Sequence, residues 1–250
     1  MSAAIDLHDL TLTYERRPAV HHANGRFAAG SLTAIVGPNG AGKSTLIKAI
    51  AGTLKPAVGR VERNQLATRH IGYLPQAAEI DRSFPLSVAD TVMMGAWRSI
   101  GAFRGATRKH AQQAKEALGA VGLAGFEQRS ISSLSSGQFQ RVLFARLLLQ
   151  DASVILLDEP FTAIDARTTR DLLELIRTWH GQGRTVIAVL HDIEQVRQHF
   201  PSTLLLAREI IAWGDTADIL NDENLRRAKN MAEHWNPDAQ PCDADAEQTL

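Results

Sequence analysis

Gly37-Pro38-Asn39-Gly40-Ala41-Gly42-Lys43-Ser44 is the stretch that decides how this 250-residue chain is read. It follows a compact apolar run, Leu32–Val36. It precedes a segment whose Leu46, Ile47 and Ile50 share one helical face, with Gly52 just past the end. A strand, a glycine-rich loop and a helix in that order, matching G-x-x-x-x-G-K-[ST] without a gap, make a phosphate cradle. Glycines let the backbone curl so that successive N–H groups point inward at phosphate oxygens. The helix adds the positive end of its dipole. In such a loop Lys43 reaches the β- and γ-phosphates of a nucleotide, and the Ser44 hydroxyl ligates Mg2+. The expected contact set is Gly37, Pro38, Asn39, Gly40, Ala41, Gly42, Lys43, Ser44 and Thr45.

Downstream, the apolar strand Val154–Leu157 delivers two carboxylates, Asp158 and Glu159, at its carboxyl end. Ligands bind at that end of parallel α/β sheets. One carboxylate, Asp158, serves the metal; the other, Glu159, is the general base for an attacking water. Between and after these points the pattern alternates: a helix near Thr168–His180, a strand at Thr185–Leu190, a helix near Ile193–His199, and a short apolar strand at Leu204–Leu206. Such alternation predicts a parallel sheet with helices on its faces. Near the start, Ile5 and Leu7 share one strand face. Leu10, Leu12 and Tyr14 share another after a shift near Asp9. Arg16-Arg17-Pro18 reads as a turn, Gly30 closes a second strand region, and Arg60–Tyr73 reads as strand-like. From Ser87 to Val121 the sequence is mostly helical, with a stripe of Ala111, Ala114, Leu118 and Val121. A serine-rich turn, Ser130–Ser136, then precedes a helix from Gln138 to Gln150. Beyond Asn221 the pattern fades.

The bulk composition excludes several classes. Lys+Arg and Asp+Glu stand at 27 each, so there is no basic excess for a nucleic-acid surface. One cysteine, Cys242, permits no internal disulfide and no C-x-x-C motif, which fits a reducing compartment. The first residues carry no basic segment leading into an apolar run, so no signal peptide is expected. No apolar stretch approaches the roughly 20 residues that cross a bilayer.

Leu134-Ser135-Ser136-Gly137-Gln138, with Arg141 in the following helix and the Asp158 strand after it, resembles the signature of ABC-transporter ATPases, normally Leu-Ser-Gly-Gly-Gln. Ser136 replaces the first glycine; Ser135, Gly137 and Gln138 are retained. Further residues match that family in order. Gln76 resembles the glutamine-loop residue that senses Mg2+ and the membrane partner, and Asp165, in Thr162-Ala163-Ile164-Asp165, resembles the acid of the loop that crosses the dimer. His191 resembles the switch histidine on the γ-phosphate, and Tyr14 the aromatic stacked on adenine.

The resemblance covers roughly residues 5–220. It implies an α/β P-loop fold of ABC-ATPase type: a parallel core sheet, an antiparallel β subdomain and an inserted α-helical subdomain at about 87–150. The ATPase domain is expected over 1–220, with a C-terminal helix or disordered tail over 221–250. It also implies ATP and Mg2+ as ligands. Lys43, Gln76, Glu159 and His191 would be the catalytic residues, and Ser44, Gln76 and Asp158 would hold the metal. Two copies would sandwich ATP between the Lys43 loop of one and the Ser135–Gln138 segment of the other. The partners would be integral membrane permease subunits and, indirectly, an extracytoplasmic metal-binding protein, with the ATPase peripheral on the cytoplasmic face of the inner membrane.

Ala77–Gly95 is similar to the segment after the glutamine in zinc and manganese importer ATPases, through its acidic residue, Phe84-Pro85 and Val92-Met93-Met94-Gly95. Zinc is the first expected cargo, then manganese, then iron-chelate or cobalamin-type cargo. Export, a non-transport ABC protein and a different P-loop enzyme remain open. His21-His22 point to opposite sides of a strand and read as a solvated turn rather than a metal site. His234, Cys242, Asp243 and Asp245 lack fixed ligand spacing.

Overall fold

Burial at every position of Leu32–Val36 (β3), Val154–Asp158 (β6) and Thr185–Val189 (β7) marks strands covered on both faces, the habit of parallel sheets. The computed structural model describes residues 4–14, 17–64, 66–67, 70–101 and 105–233, with only the backbone of Tyr14, Arg17, Arg98, Ser99 and Glu233. They divide into two compact units, one of residues 66–186 and one of residues 4–65 with 187–233. The fold is α/β, with parallel strands, a separate antiparallel sheet and helices.

In the unit of residues 4–65 and 187–233, Ile5–Tyr14 (β1) pairs antiparallel with Arg17–Phe27 (β2) and with Val58–Glu62 (β4). The sequence shift near Asp9 is a β-bulge. Register slips between Leu7 and Leu10, and Asp9 sits at φ 47°. The extra residue switches the inward parity, so Ile5 and Leu7 before it and Leu10 and Leu12 after it are all buried. Of the turn expected at Arg16–Pro18, Arg17 and Pro18 belong instead to β2, opposite Tyr14 and Thr13, and Arg16 lies outside the described residues. His21 is buried and His22 exposed, its Nδ1 2.7 Å from Asp9 Oδ1. Among the described residues no cluster of three His, Cys, Asp or Glu suits a metal.

In the same unit β3 runs parallel to Ser202–Ala207 (β8), with Val36 opposite Leu205. Glu209–Asp215 (β9) lies antiparallel on β8, a strand the sequence pattern missed because its residues are half-buried and non-alternating. Lys43–Ala51 (α1) packs on β1 and β2. Ile193–His199 (α7), Thr216–Ile219 (α8) and Asp222–Glu233 (α9) complete the unit, α9 against β8 and β9. The stretch past Asn221 thus opens with a helix. His234, Cys242, Asp243 and Asp245 lie outside the described residues.

In the unit of residues 66–186, Ile71–Leu74 (β5) runs parallel to β6, with Leu74 opposite Leu157. The strand-like stretch expected over 60–73 is therefore two strands. Helices follow: Val88–Met93 (α2), Trp97–Ile100 (α3), Arg108–Ala120 (α4), Ser136–Gln150 (α5) and Ala166–Gly181 (α6). A capping box at Ser87/Asp90 opens the predicted helical stretch, and a second at Thr107/His110 starts a new helix within it. On α4 the inward residues are Ala114, Ala117 and Leu118; Ala111 is exposed, a correction of one position in the stripe. Phe144 of α5 stacks on Trp179 of α6 with centroids 5.7 Å apart. β7 carries the chain from this unit into the other. Among the described residues no helix is long and apolar enough to cross a membrane.

A Cβ on Gly95 would sit 2.2 Å from the Arg146 carbonyl oxygen on α5, whereas one on Gly119 would meet none of the described residues within 4 Å. Gly95→Ala is expected to lower stability by about 1–3 kcal/mol through overpacking, and Gly119→Ala to raise it by about 0.5 kcal/mol through helix propensity. Urea midpoints of the two variants check the contrast in sign.

Candidate functional site

β3 leaves the sheet at Val36, and the next residue cannot carry a side chain. A Cβ on Gly37, at φ 151°, would lie 1.9 Å from the carbonyl oxygen of Leu206 on β8. At the other end of the loop, Gly42 at φ 89° is the N-cap of α1, and its Cβ would lie 2.2 Å from the Ala19 oxygen. The loop is thus wedged between two strands' backbones, and only glycine fits at either wedge. Between them, Ala41 N–H donates to Pro38 O at 3.2 Å and closes the curl. Lys43 is buried, and its ammonium donates to Gly37 O and Pro38 O, both at 2.9 Å. Those bonds fold the lysine back over the loop, with its charge at the loop's mouth. Ser44 and Thr45, in the first turn of α1, are half-buried. The backbone amides and dipole of α1 therefore converge with Lys43 on one spot suited to an anion.

His191 belongs to the same unit. Leu190 N–H donates to Ile35 O at 3.1 Å, so β7 ends beside the end of β3 and His191 emerges, exposed, near the loop's origin. Asp192 caps α7 by accepting from Gln195 N–H at 3.1 Å. The Tyr14 side chain lies outside the described residues; its backbone ends β1.

Sequence reading missed Arg208. It occupies the turn between β8 and β9 at φ 65°. Its N–H donates to Ala41 O at 3.0 Å, its carbonyl accepts from His21 N–H at 2.7 Å, and its guanidinium donates to Pro18 O at 2.7 Å. One residue thus ties the phosphate loop to the antiparallel sheet. Nothing in the sequence marks it, since a left-handed arginine is visible only in the fold.

In the other unit the parallel register does the positioning. Leu74 and Leu157 are paired, so the residues two beyond each, Gln76 and Glu159, come level. Gln76 Nε2 donates to Glu159 Oε2 at 2.8 Å. Thr162 Oγ1 donates to the same oxygen at 3.3 Å, another partner that sequence reading did not single out. Glu159 itself sits at φ 50°, a left-handed conformation that costs a non-glycine residue on the order of 1–2 kcal/mol. Such strain persists where the surroundings over-determine it, as at working sites. Asp158 is fully buried. Burial, and then the charges of Asp158 and Glu79, push the neighbouring Tyr73 phenol above its ordinary range.

Ser135 is the N-cap of α5. Its hydroxyl accepts from Gln138 N–H at 3.2 Å, and Gln138 Oε1 accepts from Ser135 N–H at 3.0 Å, a reciprocal capping box. Ser136 is the first helical residue, with ordinary helical backbone, so the serine that departs from the family pattern distorts nothing. A Cβ on Gly137 would meet Asp165 Oδ2 at 3.6 Å, an ordinary contact. Asp165 caps α6, accepting from Thr168 N–H at 2.9 Å and Arg167 N–H at 3.0 Å, and from Thr168 Oγ1 at 2.7 Å. The Thr168 backbone and side-chain bonds hold its carboxyl below the usual range. Arg141 joins these helices by donating to Thr168 Oγ1 at 3.1 Å and to Asp171 at 2.8 Å.

Residues 20–162 match the family model described as ABC transporter. The chain is 40% identical over 229 residues to the zinc transport system ATP-binding protein TroB of Treponema pallidum, covering 90% of this chain and 86% of that one. It is 38% identical over 228 residues to the manganese transport system ATP-binding protein MntB of Bacillus subtilis, covering 89% and 91%. A solved ABC transporter in an inward-facing conformation superposes with a TM-score of 0.80 at 32% identity, covering 91% of this chain and 89% of that one.

Gly42→Ala combines left-handed strain with overlap on Ala19, whereas a Cβ at Gly40, φ 76°, would meet none of the described residues within 4 Å. Titration with a fluorescent ATP analogue should show Gly42→Ala weakening binding by at least about tenfold, and Gly40→Ala by clearly less. Equal affinities for both variants would contradict the wedge.

Proposed function

The chain belongs to the ABC transporter family, and from that premise we propose that it is the ATP-hydrolysing subunit of an importer of divalent transition metal, zinc first and manganese second. The Gln76–Glu159 hydrogen bond at the end of paired parallel strands carries the catalytic assignment. It holds one carboxylate oxygen in place beside the strand that ends in Asp158. Glu159 then acts as general base, taking the proton of the water that attacks the γ-phosphate. Lys43 and the amides of the Gly37–Thr45 loop hold the β- and γ-phosphates, and His191 contacts the γ-phosphate. Tyr14 stacks on adenine. Little covalent work falls to the protein in such a transfer; positioning and charge stabilisation do most of it.

The Ser44 hydroxyl, the Asp158 carboxylate and the Gln76 amide oxygen are an all-oxygen donor set, the kind Mg2+ takes. Gln76 commits its amide nitrogen to Glu159, which suits its oxygen to a cation. These residues would hold Mg2+, which when bound with ATP would supply charge neutralisation to the phosphates.

Two copies close on ATP, the Lys43 loop of one facing Ser135, Gly137 and Gln138 of the other, with Asp165 in the loop that crosses between them. Gly137 supports this reading, since no contact among the described residues demands a glycine there. Between Gln76 and α4, Phe84, Met94 and Trp97 are 61%, 45% and 66% exposed. Large apolar side chains exposed along one segment mark a contact surface. A permease subunit covers it, which places the ATPase peripherally on the cytoplasmic face of the inner membrane. The permease in turn receives metal from an extracytoplasmic binding protein. The zinc and manganese relatives stand almost level in identity, so manganese is the second reading.

Glu159→Gln should cut ATP turnover by about 10²- to 10⁴-fold while an ATP-bound dimer accumulates in gel filtration. Unchanged turnover, or a strictly monomeric variant with its permease present, would sink the assignment. For cargo, radioactive zinc and manganese uptake is compared in cells lacking the gene and in cells complemented with wild type or Lys43→Ala. Only wild type restores zinc entry under the proposal; restoration of manganese alone transfers it to the second reading.

A further inference from the structure

Arg82 has no place in the chemistry above, yet its guanidinium is spent on the entrance to α5. Its Nη2 donates to Ile131 O at 3.2 Å and to Leu134 O. Its Cζ lies 4.8 Å from the centroid of the Phe139 ring. Leu134 immediately precedes the N-cap Ser135, and Phe139 is the fourth residue of the helix. These are the two positions of a hydrophobic staple, which fixes the angle at which a chain enters a helix. Both are buried, at 5% and 1% exposure. Arg82 therefore grips the staple from outside, one member through its carbonyl and the other through its ring face, a cation–π contact.

The segment that carries Arg82 is itself shaped for this. Asp81 Oδ1 accepts from Ser83 N–H at 2.8 Å and from Ser83 Oγ at 2.7 Å, closing a turn around Arg82. The following residues are sewn to the chain before α5. Ile131 N–H donates to Leu86 O at 3.1 Å, Val88 N–H to Arg129 O and Ala89 N–H to Glu127 O, both at 2.9 Å, and Ser87 bridges Ser130. Phe84, exposed, lies inside this stitched segment, two residues from Arg82.

We propose that Arg82 is a positioning residue that sets the Ser135–Gln138 turn from the segment bearing Phe84, so that a load on that surface is felt at the start of α5. An arginine suits the task because one guanidinium nitrogen donates to both carbonyls while the planar face covers the Phe139 ring; a lysine ammonium can replace those donors but has no planar face to stack on the ring. The kinetic half of the proposal rests on the ATPase reading above; the structural half does not.

The test uses the full chain as wild type, Arg82→Ala and Arg82→Lys. Hydrogen–deuterium exchange is followed over 131–139, with α1 as the internal control. Removing charge-assisted bonds should speed exchange there by about ten- to hundredfold in Arg82→Ala. Arg82→Lys should be intermediate, and α1 unchanged in both. In steady-state ATP hydrolysis Arg82→Ala should lower kcat about tenfold or more, with affinity for a fluorescent ATP analogue unaltered, and Arg82→Lys should recover part of the loss. Unaltered exchange over 131–139 overturns the clamp. Faster exchange with wild-type kcat overturns the link to turnover. If Arg82→Ala unfolds, Arg82→Lys carries both readouts, and wild-type values for it in each overturn the proposal. Wild-type protein without ATPase activity refutes the function proposed above, and the exchange comparison still decides the clamp.

Discussion

The carbonyl oxygen of Leu206 leaves no room for a Cβ where β3 ends, and the rest of the phosphate loop follows from that contact. Because β8 runs parallel to β3 in fixed register, Leu206 lies one step beyond Leu205, which is paired with Val36. The chain must turn at Gly37, and it turns into a curl closed by Ala41 and braced at Gly42 by the Ala19 carbonyl. Arg208, at the end of the same β8, donates back to Ala41. One strand thus excludes the side chain at the loop's start and supports the loop's end. A close-packed interior transmits position in this way because it has little slack.

The carboxylate side obeys the same logic with different chemistry. Parallel pairing of Leu74 with Leu157 brings Gln76 level with Glu159, and the hydrogen bond between them is the consequence of register rather than of chain proximity. The strained backbone of Glu159 is held by a fully buried strand on one side and Pro160, also buried, on the other. A carboxylate on an exposed flexible turn would lose its aim.

Several residues do double duty. Ser135, Gln138 and Asp165 spend hydrogen bonds on helix caps, worth about 1 kcal/mol each in typical cases. Ser135 and Gln138 also start the helix whose N-terminal end is proposed to meet nucleotide, and Asp165 starts the helix that follows the loop proposed to cross between copies. Capping also accounts for the undistorted backbone at Ser136: the reciprocal bonds of this turn are made by Ser135 and Gln138, and Ser136 simply occupies the first helical position.

Local chemistry made much of this protein legible from its residues alone. Glycine spacing, the apolar runs around it, the paired Asp158 and Glu159, and the alternating faces either side of Asp9 each follow from backbone sterics or burial acting within a few residues. What acts at long range was hidden. Sequence could not show that Gln76 faces Glu159 or that Thr162 bonds the same oxygen. It could not show that Arg208 adopts a left-handed turn against Ala41, that Ala117 rather than Ala111 faces inward, or that β9 forms at all. Those facts depend on which strands become neighbours and in what register, and partners brought together from 83 residues apart, as Gln76 and Glu159 are, leave no periodic trace along the chain.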